Sequence, residues 1–216
     1  MAKLIVFGTG GKAGRRVVAE AVTRGHEVTA VVRDPAKHAD LQQAGVRLVA
    51  GDVTEAQSVA AAAAGHDAAL STVFRPDADP AEFYTAAAKA LAAGLAEAGV
   101  ERLVTVGVGT ALEVAPGVAV HDSAEFPAEY RSFSVGHSSE IAVFDGSGLD
   151  WAVVTPPPAV LDDKAERTGN YRSGGTSVLP AHDGDAVFSY ADLAVALVDE
   201  AADPKHHREV VAVSGV

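Results

Sequence analysis

Leu4-Ile5-Val6-Phe7-Gly8-Thr9-Gly10-Gly11-Lys12-Ala13-Gly14 is the stretch that decides the fold. Its four leading apolar residues predict a buried strand, and the amphipathic segment from residue 12 onward predicts a helix. The glycines between them satisfy both G-x-G-x-x-G/A and G-x-x-G-x-x-G. Between a strand and a helix, such a loop lets backbone N–H groups approach a pyrophosphate. Residues 8–14 are therefore predicted to bind the phosphates of a dinucleotide.

Short β-branched runs alternate with longer amphipathic segments along the rest of the chain. The predicted strands are 3–7, 27–32, 46–50, 67–73, 102–107, 151–155 and 209–213. The predicted helices are 12–24, 35–43, 55–64, 80–98, 132–146 and 190–201. Strands that are apolar throughout suit a parallel sheet covered on both faces. We therefore predict an α/β fold, a single-domain Rossmann-type doubly wound parallel sheet with helices on both faces, spanning residues 1–216.

Cap residues mark several predicted element boundaries. Asp34 followed by Pro35 predicts the start of the second helix, and Thr54 with Gln57 predicts a capping box for the third. Four glycines follow predicted helices, where a left-handed residue is favoured: Gly25, Gly45, Gly65 and Gly99.

Two long segments, 107–133 and 156–189, interrupt the alternation with prolines and glycines. Long irregular segments in a compact domain are usually functional. They follow the fifth and sixth of the regularly alternating strands, and ligands of open α/β sheets bind outside the carboxyl ends of strands. We therefore expect these two segments to form the substrate site.

The charge balance excludes several classes of protein. The chain has 29 acidic and 17 basic residues, so a nucleic-acid partner is not expected. The first 38 residues nevertheless carry seven basic side chains against three acidic ones, which suits the phosphates of a nucleotide. There is no cysteine, and His206-His207 lacks a third ligand at metal-site spacing, so neither a thiol relay nor a metal site is expected.

The N-terminal apolar run is too short for a signal peptide, and no stretch approaches the roughly 20 apolar residues of a membrane helix. We expect a cytoplasmic protein without a membrane partner. The sequence leaves the oligomeric state open.

Arg33 directly follows the second predicted strand, where a Rossmann fold contacts the adenosine ribose. An acidic residue there would favour the free 2′-hydroxyl of NAD, whereas a guanidinium suits a 2′-phosphate. We predict NADPH over NADH. The alternative is a solvated arginine on a loop.

Polar residues also end the third and fourth predicted strands. Asp52, followed by Val53, would lie beside the adenine, and a role as turn or cap residue is equally open. Ser71, Thr72 and Val73 would lie near the middle of the dinucleotide. The two hydroxyl groups could equally satisfy backbone groups at the strand end.

Several motifs together carry a resemblance to a known family. They are 8–14, Val32-Arg33-Asp34-Pro35, Gly51-Asp52-Val53, LEVAPG at 112–117, EFPAEYR at 125–131, SGLDW at 147–151, Pro156-Pro157 and ERTGNYR at 166–172. Over essentially its whole length the chain resembles the atypical short-chain-dehydrogenase-like NAD(P)H-binding proteins. The branch in question contains the NADH-flavin reductases and the biliverdin-IXβ (flavin) reductases.

The resemblance implies NADPH at the carboxyl edge of a Rossmann sheet and a flavin (FMN or FAD) or another flat acceptor above the nicotinamide. It places the histidine of this branch on His137 and its proline pair on Pro156 and Pro157, at the nicotinamide end. The chain departs from the biliverdin-type relatives at Val108, where they have serine, and at Pro158, where they have histidine. Thr110 is the nearest hydroxyl to the first departure. Both departures lower support for biliverdin as the substrate.

The acid–base pair of ordinary short-chain dehydrogenases, Tyr-x-x-x-Lys, does not occur. The residues four positions after the tyrosines are Ala88, Ser134, Gly175 and Ala194. Carbonyl and alcohol chemistry therefore loses support, whereas flavin reduction needs mainly the orientation of two rings. The missing dyad also fits a non-catalytic NADP(H)-binding redox sensor of the NmrA type, and it weakens an epimerase or isomerase.

His137 lies in a predicted helix, where it could orient the nicotinamide ribose, donate a proton near the substrate or serve a structural role. Four aromatic residues near the predicted mouth could stack on a planar acceptor or simply pack locally: Phe74, Phe126, Tyr130 and Phe133. Trp151 begins a buried strand and is predicted to be core.

Overall fold

A computed structural model describes residues 1–180 and 188–216. The strands are β1 (Lys3–Phe7), β2 (Glu27–Val32), β3 (Val46–Ala50), β4 (Ala68–Ser71), β5 (Arg102–Val106), β6 (Glu113–Ala115), β7 (Val118–Ala119), β8 (Asp150–Thr155), β9 (Arg172–Gly174) and β10 (Glu209–Ser214). The α-helices are α1 (Lys12–Thr23), α2 (Ala56–Ala63), α3 (Pro80–Ala98), α4 (Ala128–Asp145) and α5 (Tyr190–Ala202).

The central sheet has the strand order β3-β2-β1-β4-β5-β8-β10-β9. Every pair in it is parallel except β10 with β9, which is antiparallel at the edge. Because β1 lies between β2 and β4, the chain changes direction across the sheet at β1, which places a ligand crevice beyond the ends of β1 and β4. The predicted Rossmann-type fold is confirmed.

Alternation along β1 supplies both layers of the core. Leu4 and Val6 belong to one buried cluster, in which α1 and α5 pack on the sheet. Ile5 and Phe7 belong to the other, which includes residues of α2, α3 and α4. Trp151 is 3% exposed and belongs to the second cluster, so the prediction that it is core is confirmed.

Two predicted helices differ from the observed ones. Residues 35–43 do not form an α-helix: Pro35–Leu41 forms 3₁₀ turns with a kink at His38 (φ −132°, ψ 28°). The helix predicted at 132–146 begins earlier, because α4 starts at Ala128 directly after Pro127. Proline restricts the backbone conformation of the residue before it and is common at helix starts. The prediction of 132–146 used only the spacing of apolar residues and did not include this signal.

The predicted caps are confirmed at one helix start and wrong at another. Asp34 accepts from the Ala36 N–H (3.2 Å) with Pro35 opening the turn, as predicted. The capping box of Thr54 and Gln57 does not form, because α2 has Glu55 at its N-cap and no side-chain cap. The four predicted left-handed glycines all have φ between +73° and +82°.

The two irregular segments contain structure that the sequence did not predict. β6 and β7 form a small antiparallel hairpin within 107–133, and β9 lies within 156–189. Residues 181–187 of the second segment lie outside the described residues. In the part of the chain that is described, no helix is long and apolar enough to cross a membrane.

Candidate functional site

Two glycines of the loop after β1 are required by close backbone contacts. Gly8 has φ +86°, and a Cβ there would lie 2.8 Å from the carbonyl carbon of Thr72, just beyond β4. A Cβ on Gly14 would lie 2.4 Å from the Gly8 carbonyl oxygen. The loop can therefore fold against the end of β4 and the start of α1 only because these side chains are missing.

The N-terminus of α1 is left without a side-chain partner. Its N-cap is Gly11, no side chain caps it, and the first turn holds no acidic residue. The helices α2 and α4 also lack a side-chain cap, whereas α3 and α5 are capped by Asp79 and Ser189. The first-turn N–H groups of a helix have no intrahelical acceptor, so α1 offers donors and a positive dipole end to an anion.

A pocket of about 240 Å³ opens beside this loop at the carboxyl ends of β1 to β4. Predicted cofactor-binding residues that line it are Gly8, Gly10, Gly11, Arg33, Asp52, Val53, Thr72 and Val73. Other lining residues are Phe7, Val31, Val32, His38, Gly51, Phe74, Arg75 and Phe83. The remaining predicted binding residues lie outside this lining: Thr9, Lys12, Ala13, Gly14, Ser71, Pro156 and Pro157. Residues from four strand ends thus meet in one crevice.

The sequence did not single out His38 or Arg75, and both line the pocket. The kink in the 3₁₀ turns brings the His38 ring over the loop, where a Cβ on Gly10 would lie 2.8 Å from its Cε1 atom. The Arg75 guanidinium carbon lies 5.5 Å from the Phe83 ring centroid. With Arg33, these side chains give the pocket wall several groups that can hold a phosphate.

Asp52 combines the two roles that the sequence left open. It lines the pocket, and its Oδ1 accepts from the Thr54 N–H (2.9 Å) and the Thr54 hydroxyl (2.7 Å). Burial opposes ionisation of this carboxyl, but the bonds from Thr54 and the charges of Arg75 and Arg33 lower its pKa below the ordinary value. A contact with adenine stays a prediction.

Several predicted binding side chains are engaged in holding the loop. The buried Thr9 hydroxyl donates to the Val31 carbonyl (3.1 Å), and the Thr72 hydroxyl donates to the Phe7 carbonyl (3.2 Å). Lys12 lies 3.6 Å from an Asp163 carboxylate oxygen. The Thr72 hydroxyl therefore satisfies a backbone group at a strand end, which is one of the two roles that the sequence left open. Contacts between this loop and a phosphate would then come from its backbone N–H groups.

The segments after β5 and β8 meet beside the predicted nicotinamide end. A Cβ on Gly109 would lie 2.4 Å from the Pro157 carbonyl carbon, so the two backbones are in direct contact. Thr110 is half-buried next to this contact, and its hydroxyl donates to Ser134 Oγ (2.8 Å). The structure thus brings Thr110 and Pro157 together, as expected of neighbouring parallel strands.

His137 lies behind the pocket wall. Phe74 lines the pocket and contacts Phe133 edge to face (5.7 Å between ring centroids). Phe133 in turn contacts the His137 ring (4.9 Å), which packs on Tyr84 at 3.8 Å. His137 is 8% exposed, and its Nδ1 lies 3.4 Å from a carboxylate oxygen of Glu140 without hydrogen-bond geometry. Its position suits support of the wall, and a catalytic role stays a prediction.

The other two aromatic residues predicted at the mouth have different surroundings. Phe126 packs against the Arg131 guanidinium (5.6 Å), and Tyr130 is 61% exposed. Phe74 is also 61% exposed. Phe74 and Tyr130 therefore present open rings, whereas Phe126 packs locally.

Glu140 is buried at 3% exposure, and burial raises the pKa of its carboxyl above the ordinary 4.5, against the opposing effect of His137. A raised native pKa means that this group stabilises the fold below pH 4.5 and that the contribution is lost as pH rises through the native pKa. We expect Glu140→Gln to raise the Tm by about 2–4 °C at pH 7.5, with little difference at pH 4.

Thermal unfolding of both proteins at the two pH values checks this expectation. Glu101→Gln, which changes an exposed carboxylate, is the matched control and should leave Tm unchanged. A Glu140→Gln variant less stable than the wild type at pH 7.5 would contradict it.

The motif at 166–172 anchors the long segment after β8 to the helices. Arg167 donates to both carboxylate oxygens of the buried Glu20 (2.7 and 2.8 Å), and this hydrogen-bonded partner lowers the Glu20 pKa despite burial. Asp192 accepts from the N–H groups of Thr168 and Gly169, and the Tyr171 hydroxyl donates to Asp199. The motif has a structural function in positioning this segment.

His206 and His207 each pair with a carboxylate. His206 Nδ1 lies 2.7 Å from Glu200, and His207 Nδ1 lies 3.0 Å from Asp150. Among residues 1–180 and 188–216, no three His, Asp or Glu side chains converge as a metal ion would require.

Together, the switch-point crevice, the glycine loop and the uncapped helix define a dinucleotide-binding protein of the Rossmann class. Comparison with known proteins agrees: the NAD(P)H-binding family matches residues 8–204, and the chain belongs to that family. The uncharacterized protein YwnB of Bacillus subtilis (strain 168) is 32% identical over 210 residues, covering 96% of this chain and 95% of its own length.

Solved structures with similar folds have varied names. A "putative exported protein" from Burkholderia pseudomallei has a TM-score of 0.85 at 35% identity, covering 99% of both chains. A "putative epimerase" from Bacteroides thetaiotaomicron has a TM-score of 0.87 at 30% identity, covering 100% of this chain and 97% of its own. A "putative NADH-flavin reductase" from Streptococcus pneumoniae TIGR4 has a TM-score of 0.84 at 26% identity, covering 100% of both.

Proposed function

We propose that this protein is an NADPH-dependent reductase that transfers a hydride to a free flavin, FMN or FAD, or to a similar planar acceptor. The observation that carries the proposal is the crevice at β1 and β4, where glycine backbone, an uncapped helix N-terminus and Arg33 meet in one pocket. Membership of the NAD(P)H-binding family supports the cofactor, and the structural likeness to a protein named as a flavin reductase supports the acceptor class.

The residues present fit a dinucleotide. Gly8 and Gly14 let the loop pack against the end of β4 and the start of α1, and the uncapped N-terminus of α1 would provide backbone N–H groups for the pyrophosphate. Arg33 and His38 would hold the adenosine end, with Asp52 and Val53 beside the base. When bound, a reduced nicotinamide supplies a hydride.

The acceptor would lie against the segments after β5 and β8. The Pro157 backbone contacts Gly109 there, and Thr110 provides a hydroxyl next to this contact. The exposed rings of Phe74 and Tyr130 offer faces for a flat molecule. Orientation of two rings is the main requirement of hydride transfer to a flavin, which is consistent with the missing Tyr-x-x-x-Lys pair.

Loss of NADPH absorbance with FMN, FAD or a small quinone in excess tests the proposal. Steady oxidation with at least one acceptor is the expected result. Tight NADPH binding without oxidation by any acceptor would instead support the redox sensor of NmrA type, which the missing dyad also fits.

Arg33→Ala is expected to change the preference between the two cofactors. A guanidinium bonded to a phosphate contributes about 1.5–3 kcal/mol, so the ratio of the NADH to the NADPH Kd should fall by about 10- to 100-fold. Fluorescence titration of both cofactors measures this ratio. Arg47→Ala, an exposed arginine on β3 outside this pocket, is the control. An unchanged ratio in Arg33→Ala would remove the assignment of the 2′-phosphate site.

A further inference from the structure

A chain of four polar side chains runs from the predicted acceptor site to the surface. The Thr110 hydroxyl donates to Ser134 Oγ (2.8 Å), and Ser134 Oγ lies 2.7 Å from His121 Nδ1. His121 Nε2 lies 3.7 Å from a carboxylate oxygen of Asp122, which is exposed. The chain therefore has a half-buried hydroxyl at one end and a solvent-exposed carboxylate at the other.

The middle of this chain is closed to solvent and held rigidly. Ser134 is 0% exposed and His121 is 9% exposed. The Arg131 guanidinium donates to the carbonyl groups of His121 and Ser123, which fixes the loop that carries the imidazole. The Ser134 hydroxyl has Thr110 and His121 as its two hydrogen-bond partners. Because Ser134 is fully buried, it connects these two residues without contact with solvent.

We propose that Ser134 and His121 form a proton path that feeds Thr110. This inference rests on the proposed function, in which the acceptor takes a hydride near Thr110. Ser134 and His121 act through Thr110 and are positioning residues, because neither touches the acceptor itself.

The proton balance runs through hydrogen bonds that already exist. Hydroxyl hydrogens rotate, so the same heavy atoms support donation from His121 Nδ1–H to Ser134 and from Ser134 to Thr110. As the acceptor receives the hydride of the reduced nicotinamide, the Thr110 O–H bond breaks and a new O–H bond forms on the acceptor. Thr110 takes the Ser134 proton, Ser134 takes the His121 Nδ1 proton, and the imidazole regains a proton from solvent on the side of Asp122.

A quinone is the sharpest probe of this path. The oxygens of a hydroquinone are phenolic, and a phenol keeps its proton at neutral pH because its pKa is near 10. Quinone reduction therefore consumes one proton for each hydride. A flavin can take its hydride at N5 and receive its remaining proton from solvent.

The test compares Ser134→Ala with Ser138→Ala, a hydroxyl one turn along α4 that donates to a backbone carbonyl of the same helix. With NADPH and a water-soluble benzoquinone, we expect kcat to fall about 100-fold in Ser134→Ala and to stay unchanged in Ser138→Ala. The proton inventory of kcat in mixtures of H₂O and D₂O should be curved in the wild type, because several protons move together, and linear in Ser134→Ala. Thr110→Ser should retain activity that Thr110→Val loses.

Two readouts are independent of turnover. The Kd for NADPH should be the same in Ser134→Ala and the wild type, and the ¹⁵N resonance of His121 Nδ1 in the ligand-free protein should shift when its hydroxyl partner is removed. An unchanged kcat in Ser134→Ala, a linear inventory in the wild type, or activity with FMN but none with the quinone would overturn the proton path and leave the proposed function standing. If NADPH is oxidised neither with FMN nor with the quinone, the proposed function itself would be overturned.

Discussion

Gly14→Ala is expected to lower NADPH affinity by about 100-fold or more. The added Cβ would lie 2.4 Å from the Gly8 carbonyl oxygen and 2.7 Å from the Thr9 Cα, and both are backbone atoms that cannot rotate away. Relief requires α1 to move away from the loop, which shifts the N–H groups that would bind the pyrophosphate. Loss of two hydrogen bonds to a charged group costs about 3–6 kcal/mol, which is at least 100-fold in Kd.

Fluorescence titration with NADPH measures this loss. Gly148→Ala is the matched control, because a Cβ at that position meets no atom within 4 Å, and its Kd should equal that of the wild type. Circular dichroism should show that Gly14→Ala retains its secondary structure. Wild-type affinity in a folded Gly14→Ala protein would show that the phosphates bind elsewhere.

Arg102→Ala is expected to lower the free energy of unfolding by about 3–5 kcal/mol. Arg102 begins β5, at the amino ends of the parallel strands and opposite the pocket, and its side chain is 7% exposed. The guanidinium donates to the Glu200 carbonyl and carboxylate (2.9 and 3.0 Å) and to the His206 carbonyl (3.0 Å). Removal would leave the buried Glu200 carboxylate with His206 as its remaining side-chain partner and without the permanent charge of the guanidinium.

Urea unfolding of Arg102→Ala, with the exposed Arg47→Ala as the control, measures the loss. The NADPH Kd of the folded Arg102→Ala protein should remain at the wild-type value, because this cluster lies at the other end of the strands. A loss of less than 1 kcal/mol would show that the pair contributes little to stability.

The sequence predicted the part of the site that is local along the chain. β1, the glycine loop and α1 are consecutive, so the apolar run and the glycine spacing were enough to place them. Arg33, Asp52 and Val73 were found because each follows a strand of recognisable pattern, and parallel strands bring their carboxyl ends to one edge.

Residues whose position depends on distant contacts could not be predicted in this way. His38 reaches the loop through a kink in turns that have the apolar period of a helix. Ser134 and His121 are 13 residues apart and carry no motif, and Arg102 meets Glu200 across 98 residues. His137 was placed by resemblance alone, and the structure puts Phe74 and Phe133 between it and the pocket.

Equilibrium titration of the wild-type protein with NADPH and NADH is the most direct test of the central claim, that the crevice at β1 and β4 binds NADPH. The expected result is saturable binding of one NADPH per chain, with a Kd about tenfold or more below that of NADH because of the 2′-phosphate contact with Arg33. Absence of saturable binding, or NADH binding as tightly as NADPH, would contradict it.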